Sequence, residues 1–164
     1  MLVGVVSDTH DNVAAAEAAA DAFAHRDVET VVHCGDVVAP PTVSAFEGFD
    51  LHAVLGNNDG EVRGLDAAID GLSEGSELHG RFADLELGGA RFAVLHGESL
   101  AEVAAVAGGD YEFVCYGHHH EREEREVDGT TVLNPGAHFP TVPDEHRTVA
   151  VVDTDEGTVE FLDL

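Results

Sequence analysis

Side chains that can bind metal ions follow a series of short apolar runs. Each run has the length and the valine content of a buried strand. The residues that come directly after the runs are Asp8 and His10 in "VVSDTH", Asp36 in "VVHCGD", Asn57, Asn58 and Asp59 in "VLGNND", His96 in "AVLHG", and His118, His119 and His120 in "FVCYGHHH". One aspartate at a strand end is usually a turn former. Five strand ends that all carry carboxylate, amide or imidazole groups indicate a site for first-row divalent ions such as Mn, Fe, Ni or Zn.

The number of these side chains exceeds what a single ion requires, because a catalytic zinc typically takes about three protein ligands. Two ions that share a bridging carboxylate would use them all. Ions held roughly 3.5–4 Å apart can activate a water molecule and stabilise both the attacking and the leaving oxygen. The pattern therefore predicts a dinuclear centre, and its chemistry suits hydrolysis of a phosphate ester.

Parallel strands would bring these residues together. The first half alternates strands in "LVGVVS", "TVVHCGD" and "DLHAVLGNND" with helices in "NVAAAEAAADAFAHR" and "APPTVSAFE", with Asn12 as the N-cap of the first helix. The carboxyl ends of parallel strands form the crevice in which α/β sheets bind ligands.

The second half contains hairpin signals at Gly88-Gly89, Asp128-Gly129 and Glu156-Gly157, a helix in "SLAEVAAVAGG" and a buried strand in "YEFVCYG". No internal repeat, linker or low-complexity block is present. We expect one α/β domain over residues 1–164, with a mixed sheet or two packed sheets.

The composition restricts the classes of partner. Hydrophobic residues make up 44% of the chain, which is too many for a disordered protein. The 33 acidic residues face only 7 arginines and no lysine, giving a net charge of -26. Such a surface repels nucleic acid and anionic membranes, so we expect neither a stable nucleic-acid complex nor a membrane partner. We interpret the acidity as adaptation to high salt, where counter-ions screen the repulsion.

The compartment follows from two further features. No apolar run approaches the ~20 residues of a membrane span, and "MLVGVVSDTH" lacks the basic and long apolar regions of a signal peptide. Cys34 and Cys115 both lie in apolar runs, which predicts buried thiols in a reducing cytosol and hence a cytoplasmic protein. The oligomeric state stays open, a homo-oligomer included.

The motifs "SDTH", "CGD", "GNND", "LHG" and "GHHH", in this order, resemble those of the calcineurin-like metallophosphoesterases. The small size and the turn "NPGA" are similar to the small bacterial and archaeal phosphodiesterase branch, and the resemblance extends from Val3 to Phe161. It implies a two-sheet sandwich flanked by helices, a small phosphate-ester substrate and two divalent ions. Manganese is the first expectation for the metal, and nickel, iron and zinc are the alternatives.

The resemblance also implies roles for individual residues. One ion would be bound by Asp8, His10, Asp36 and His120, and the other by Asp36, Asn57, His96 and His118. Asp36 would bridge the ions, and a hydroxide between them would attack phosphorus. If the backbone is extended, His118 and His120 point to one face and His119 points away, so His119 is expected not to be a ligand.

The chain departs from the family pattern next to these ligands. Many relatives carry a histidine that assists the leaving group at the position of Asn58. The amide of Asn58 can donate a hydrogen bond but cannot act as a general acid. We predict a catalytic role for Asn58, with Asp59 orienting Asn58 or a ligand. Glu98, which follows His96-Gly97, would make the rim of the site more acidic.

Other polar residues receive structural interpretations. His33 is expected to be packed or to support a ligand, and Arg122 and Arg125 to form solvated ion pairs with neighbouring acids. His138 follows the "NPGA" turn, and the sequence leaves open whether it reaches the site. Two alternatives to a phosphodiesterase are a non-catalytic metal-binding scaffold of the same fold and a nuclease.

Overall fold

A computed structural model describes residues 1–164, which form two β-sheets with helices on their outer faces. The strands are β1 (Leu2–Val6), β2 (Thr30–His33), β3 (Asp50–Ala53), β4 (Glu77–Leu78), β5 (Phe82–Leu87), β6 (Ala90–Leu95), β7 (Phe113–Cys115), β8 (Glu123–Val127), β9 (Thr130–Asn134), β10 (Thr148–Asp153) and β11 (Thr158–Asp163). The helices are α1 (Val13–Ala24), α2 (Pro40–Val43), α3 (Val62–Asp70) and α4 (Leu100–Ala107). Short 3-10 helices span Ser44–Phe46 and Asp144–His146.

The first sheet has the strand order β11-β10-β1-β2-β3-β4 and the second has the order β5-β6-β7-β9-β8. Strands β1 to β4 run parallel, as do β6, β7 and β9, whereas the hairpin strands are antiparallel. Sheet order, layers and flanking helices confirm the expected two-sheet sandwich. None of the helices has the length and the hydrophobicity that a bilayer crossing requires.

Three apolar layers hold the elements together. The residues of strand β1 alternate between two of these layers. Val3 and Val5 point into the layer between the sheets, while Val6 packs under the helices α1 to α3. A third, smaller layer lies between the second sheet and α4. Both cysteines are buried in the layer between the sheets and are unpaired.

Helix α1 forms as the sequence predicts. The Asn12 side chain accepts a hydrogen bond from the backbone N–H of Ala15 at 3.3 Å and so caps the first turn. Phe23 at the other end is fully buried. It packs so closely over Gly4 of β1 that a Cβ there would lie 2.9 Å from the Phe23 ring.

Two elements between residues 60 and 81 were not predicted. Helix α3 buries only Leu65 and Ile69, four residues apart, and the two-residue strand β4 pairs with β3. Val62, Leu65, Ile69 and Leu72 do recur at helical spacing, so the sequence contains a signal for α3 that the prediction missed. Two residues are too few for a strand signal.

Backbone pairing continues beyond the strands into the loops that carry the polar residues. After β1 and β2, the N–H of Asp8 donates to Gly35 O at 3.0 Å and the N–H of His10 donates to Asp36 O at 3.0 Å. In the second sheet, the N–H of Gly117 donates to His96 O at 2.9 Å. The carboxyl ends of the parallel strands of both sheets therefore meet at one rim.

Two buried histidines lie near this rim. His33 is fully buried, accepts the N–H of Gly35 at 3.2 Å on Nδ1, and has its Nε2 3.2 Å from Thr9 Oγ1. It therefore supports the loop before Asp36, in line with its structural interpretation. Burial lowers the pKa of His33 to about 4, and it lowers the pKa of His138 to about 4 as well.

These pKa values predict that acid weakens the fold. Below pH 6.5 the unfolded chain binds protons at these histidines that the folded chain excludes down to about pH 4, so stability falls as the pH drops through that window. Each histidine contributes a slope approaching about 1.4 kcal/mol per pH unit. Denaturant unfolding of metal-free protein at constant salt and several pH values should show this slope in the free energy of unfolding. His138→Gln should reduce the slope by the contribution of one histidine, whereas His25→Gln, at an exposed position, should leave it unchanged. Equal slopes in the wild type and both variants would refute the assignment of the slope to buried His138.

Candidate metal centre

The seven predicted ligands converge on the rim where the two sheets meet. Asp8, His10 and His120 form one group, with Asp8 Oδ1 3.6 Å from His10 Nε2 and 3.2 Å from His120 Nε2. Asn57, His96 and His118 form the other, with Asn57 Oδ1 3.1 Å from His96 Nε2 and 2.9 Å from His118 Nδ1.

Asp36 lies between the two groups. Its Oδ2 atom is 3.5 Å from His10 Nε2 and 3.4 Å from His96 Nε2. Asp8, Asp36 and His96 also offer ligand atoms within 4.8 Å of one another. Asp36 thus lies where a carboxylate could contact two ions at once.

Two observations show that these residues fit divalent cations. Asp8 Oδ1 and His10 Nε2 are buried without a hydrogen-bond partner, although they face each other. His96 Nδ1 donates to the backbone oxygen of Cys34 at 2.8 Å, which aims Nε2 at Asn57 Oδ1 and Asp36 Oδ2. Lone pairs that face each other at these distances repel unless a cation or a proton lies between them.

The pKa values follow from the same crowding of donors and acceptors. Burial raises the pKa of Asp8, but the nearby imidazoles of His10 and His120 and the hydrogen bond from Ser7 outweigh this and bring it far below its usual value. Burial likewise opposes ionisation of Asp36, yet His96 and Asn58 lower the pKa of that carboxyl to about 2. Against its own burial, the carboxylate of Asp36 raises the pKa of His96 to about 8. Both carboxylates are therefore ionised and able to bind cations at neutral pH.

Hydrogen bonds from neighbouring groups hold the two carboxylates in place. The hydroxyl of Ser7 donates to Asp8 Oδ2, and the N–H of His118 donates to the same atom at 3.0 Å, which leaves Asp8 Oδ1 for the site. Asn58 donates its backbone N–H to Asp36 Oδ1 at 2.8 Å and its side-chain amide to Asp36 Oδ2 at 2.7 Å. The Asn58 side chain therefore orients Asp36.

Sequence and structure comparisons agree with this geometry. The family model described as "Calcineurin-like phosphoesterase superfamily domain" matches residues 1–157. The chain belongs to the calcineurin-like phosphoesterase superfamily. It is 35% identical over 163 residues to a phosphodiesterase of Methanocaldococcus jannaschii, covering 95% of both chains, and 32% identical over 155 residues to a probable metallophosphoesterase of Methanothermobacter thermautotrophicus, covering 87% of this chain and 79% of that one.

A solved structure of an archaeal phosphodiesterase superposes with a TM-score of 0.89 at 33% identity, and each chain is covered completely. The family resemblance inferred from the five motifs is therefore confirmed, as is the fold that it implied. Like its relatives, this calcineurin-like phosphoesterase is a metal-dependent enzyme that acts on phosphate esters.

The backbone around the ligands differs from the expectation. His118 and His120 do not lie in extended chain: both have left-handed backbone conformations, with φ of 65° and 58°. The prediction that extended alternation sends them to one face was wrong, because a turn brings them together. His119 lies between them, and its Nε2 donates to Gly97 O at 3.0 Å instead of pointing to the centre.

Three ligands from the first sheet share this conformation. Asp8, His10 and Asp36 have φ of 54°, 45° and 58°. L-residues other than glycine adopt this region infrequently, and it is enriched at functional sites. A close approach adds a constraint at Gly117, where a Cβ would overlap the side chains of Ser7 and Asp8.

One residue beside the predicted ligands could not be identified from the sequence. Phe139 packs edge-on against the rings of His10 and His120, with centroids 4.9 Å and 4.7 Å away. His138 next to it contributes its backbone N–H to Asp8 O at 3.3 Å, while its ring lines a separate cavity.

The charged residues around the rim have local partners. Glu98 is paired with Arg81 at 2.8 Å, so the expected excess of acid at the rim is partly balanced. Arg125 pairs with Glu123 at 3.4 Å, as expected. Arg122 does not form the predicted ion pair; its guanidinium lies 5.1 Å from the centre of the Phe161 ring.

Asp59 occupies a supporting position. Its carboxylate accepts backbone N–H groups from Asp36 at 2.9 Å, Val38 at 2.6 Å and Gly56 at 2.7 Å. It is almost completely buried, and its oxygens bind the loop around Asp36 instead of the Asn58 side chain. The contacts make Asp59 a positioning residue for the predicted ligand Asp36.

This position predicts a large effect of Asp59→Asn. The amide group would turn a donor towards at least one backbone N–H and leave it unsatisfied, which costs about 1–3 kcal/mol of stability and loosens Asp36. Thermal unfolding and metal content should both fall. Asp66→Asn, an exposed position on α3, is the matched control and should change neither. Wild-type metal content in Asp59→Asn would show that Asp59 does not hold the Asp36 loop.

Proposed function

We propose that this calcineurin-like phosphoesterase is a phosphodiesterase that hydrolyses a small phosphate diester with two divalent ions. The position of Asp36 Oδ2 between the two ligand groups carries this proposal, because it provides the shared carboxylate of a dinuclear centre. The names of the relative from M. jannaschii and of the superposed archaeal structure support diesters as the substrate class.

The proposed ligand sets are Asp8, His10, Asp36 and His120 for one ion, and Asp36, Asn57, His96 and His118 for the other. When bound, such ions lower the pKa of coordinated water and offset charge on the phosphoryl oxygens. A mixture of carboxylate, amide and imidazole ligands suits manganese, with nickel, iron or zinc as alternatives. The neutral amide of Asn57 limits the negative charge that an anionic substrate meets.

The residues around the ions set the limits of the reaction. Asn58 fixes both oxygens of Asp36, so that the carboxylate cannot rotate away from either group. Its amide has no proton to give to a leaving alkoxide. Leaving-group protonation then falls to solvent at the open rim, which favours diesters whose alcohols leave readily.

The substrate is proposed to be small. A net charge of -26 opposes a nuclease, because nucleic-acid binding depends on cationic contacts with phosphates. Two unpaired, buried thiols support a reducing compartment, and we propose the cytoplasm.

Diester hydrolysis tests the proposal directly. Manganese-loaded protein should hydrolyse an activated diester, such as a bis-aryl phosphate, faster than the matching monoester. Asp36→Asn removes the shared charge and should reduce kcat by at least about a thousandfold, with loss of metal by elemental analysis. Asp21→Asn, on the exposed part of α1, is the control. Absence of metal-dependent turnover in the wild type, or an active and fully loaded Asp36→Asn protein, would contradict the mechanism.

Salt dependence tests the proposed adaptation to high salt. The Debye length grows from about 3 Å at 1 M salt to about 30 Å at 0.01 M, so dilution exposes the acidic surface to its own repulsion. Circular dichroism of the metal-loaded protein should show loss of structure when molar potassium chloride is replaced by millimolar salt, and recovery when salt is restored. An unchanged spectrum and melting temperature would refute the adaptation.

A further inference from the structure

A cavity of about 270 Å³ lies beside the first turns of α1, outside the ligand cluster. Its apolar wall includes Ala15 and Ala18 from α1, together with Phe139 and Pro140 from the loop after β9. Its polar wall includes His138 and Arg147.

Two residues that line the cavity have unpartnered buried atoms. Five buried side-chain nitrogen or oxygen atoms in the chain have no hydrogen-bond partner. Two of them, Asp8 Oδ1 and His10 Nε2, belong to the metal centre, where a cation would satisfy them. The other three are Nδ1 and Nε2 of His138 and Nε of Arg147. His138 is only 3% exposed, and both residues line this one cavity. Because unpartnered buried polar groups are rare and costly, their coincidence in one cavity points to a ligand.

The surroundings fix the orientation of these groups. Arg147 uses its two terminal nitrogens for Asp144 Oδ1 at 3.0 Å and Pro140 O at 2.9 Å, which leaves the Nε–H free to donate. The Asn12 amide donates to His138 O at 2.7 Å while its oxygen caps α1. A neutral His138 ring offers one donor and one acceptor.

The charge pattern favours an anion. The first turn of α1 contains no acidic residue, although the chain has 33 acids. Within that turn no acidic side chain compensates the positive end of the helix dipole; the nearest acids are Asp11, which precedes the Asn12 cap, and Asp144, which pairs with Arg147. The Arg147 Nε–H and one imidazole N–H provide two donors for a single negative charge, and the apolar wall suits a hydrocarbon body. A phosphate dianion would bring more charge than these two donors match and no apolar surface.

We propose that this cavity is a second ligand site that binds a short-chain monocarboxylate, with its oxygens on Arg147 Nε–H and the His138 ring and its hydrocarbon against Ala15, Ala18 and Phe139. The site is separate from the metal centre and does not depend on the proposed diesterase activity. Phe139 forms the common wall, because it also packs against His10 and His120.

Titration of the protein loaded with diamagnetic zinc, using acetate, propionate and butyrate at constant ionic strength, tests the proposal. The His138 ring signals in NMR spectra should shift saturably. Affinity should rise about fourfold with each methylene, which corresponds to about 0.8 kcal/mol for each buried CH₂. The absence of a saturable shift with butyrate would overturn the site.

Two leucine variants on the same helix separate cavity binding from binding elsewhere. Ala18 and Ala14 are both exposed, so leucine should leave the fold intact at either position, as circular dichroism can verify. Ala18→Leu fills the cavity and should weaken butyrate binding at least tenfold. Ala14→Leu does not line the cavity and should retain wild-type binding. Equal affinity in the two variants would refute the location.

Carboxylates also bind metal ions, so the titration is repeated with Asp36→Asn, which should lose the shared metal ligand. Binding at the cavity should persist in that variant. His138→Phe keeps an apolar ring but removes the hydrogen bond, and ligand-observed NMR should show that it weakens butyrate at least tenfold. Loss of the butyrate response with Asp36→Asn, or full retention with His138→Phe, would assign the binding to the metal centre or to a nonspecific site.

Discussion

The centre depends on the backbone pairing between the loops that follow β1 and β2. Hydrogen bonds from Asp8 to Gly35 and from His10 to Asp36 extend the parallel ladder beyond the sheet. They bring two carboxylates into a buried space where each needs compensating charge. Imidazoles from both sheets provide part of that compensation, and the N–H of His118 connects the second sheet to Asp8. The sandwich can therefore be understood as a frame that holds two loops of the first sheet against two turns of the second.

Two consecutive residues, Asn58 and Asp59, hold the side chain and the backbone of Asp36. Asn58 contacts both of its carboxylate oxygens, and Asp59 binds its backbone N–H together with those of Val38 and Gly56. Three consecutive residues, Asn57 to Asp59, thus contribute a predicted ligand atom, an orienting amide and a buried acceptor for the loop. Hydrogen bonds within the protein, from the Asn58 amide and to the Asp59 carboxylate, therefore orient Asp36 without a bound ion.

Much of the fold could be predicted from the sequence because its signals are local. Apolar runs, the Asn12 cap and glycine-containing turns identify strands, a helix and hairpins without reference to distant residues. The same logic places Asp8, Asp36 and Asn57 at strand ends. Helix α3 has a local signal as well, in the helical spacing of Val62, Leu65, Ile69 and Leu72, and the prediction missed it. The left-handed turn at His118 and His120, the contact of Asn58 with Asp36 and the packing of Phe139 depend on residues far apart in sequence, and a single chain without its fold carries no signal for them.

The left-handed backbone at the predicted ligands limits which substitutions can inactivate the centre without disturbing its loops. Asparagine tolerates this conformation about as well as aspartate, whereas alanine adds a conformational penalty of its own. An Asp→Asn exchange at Asp8 or Asp36 removes charge while preserving the loop, and a single base change in the codon suffices for it. Inactive descendants that keep the sandwich intact would therefore arise most readily through amides at these positions. Alanine substitutions, in contrast, would conflate the loss of a ligand with the unfavourable backbone geometry of the residue that replaces it.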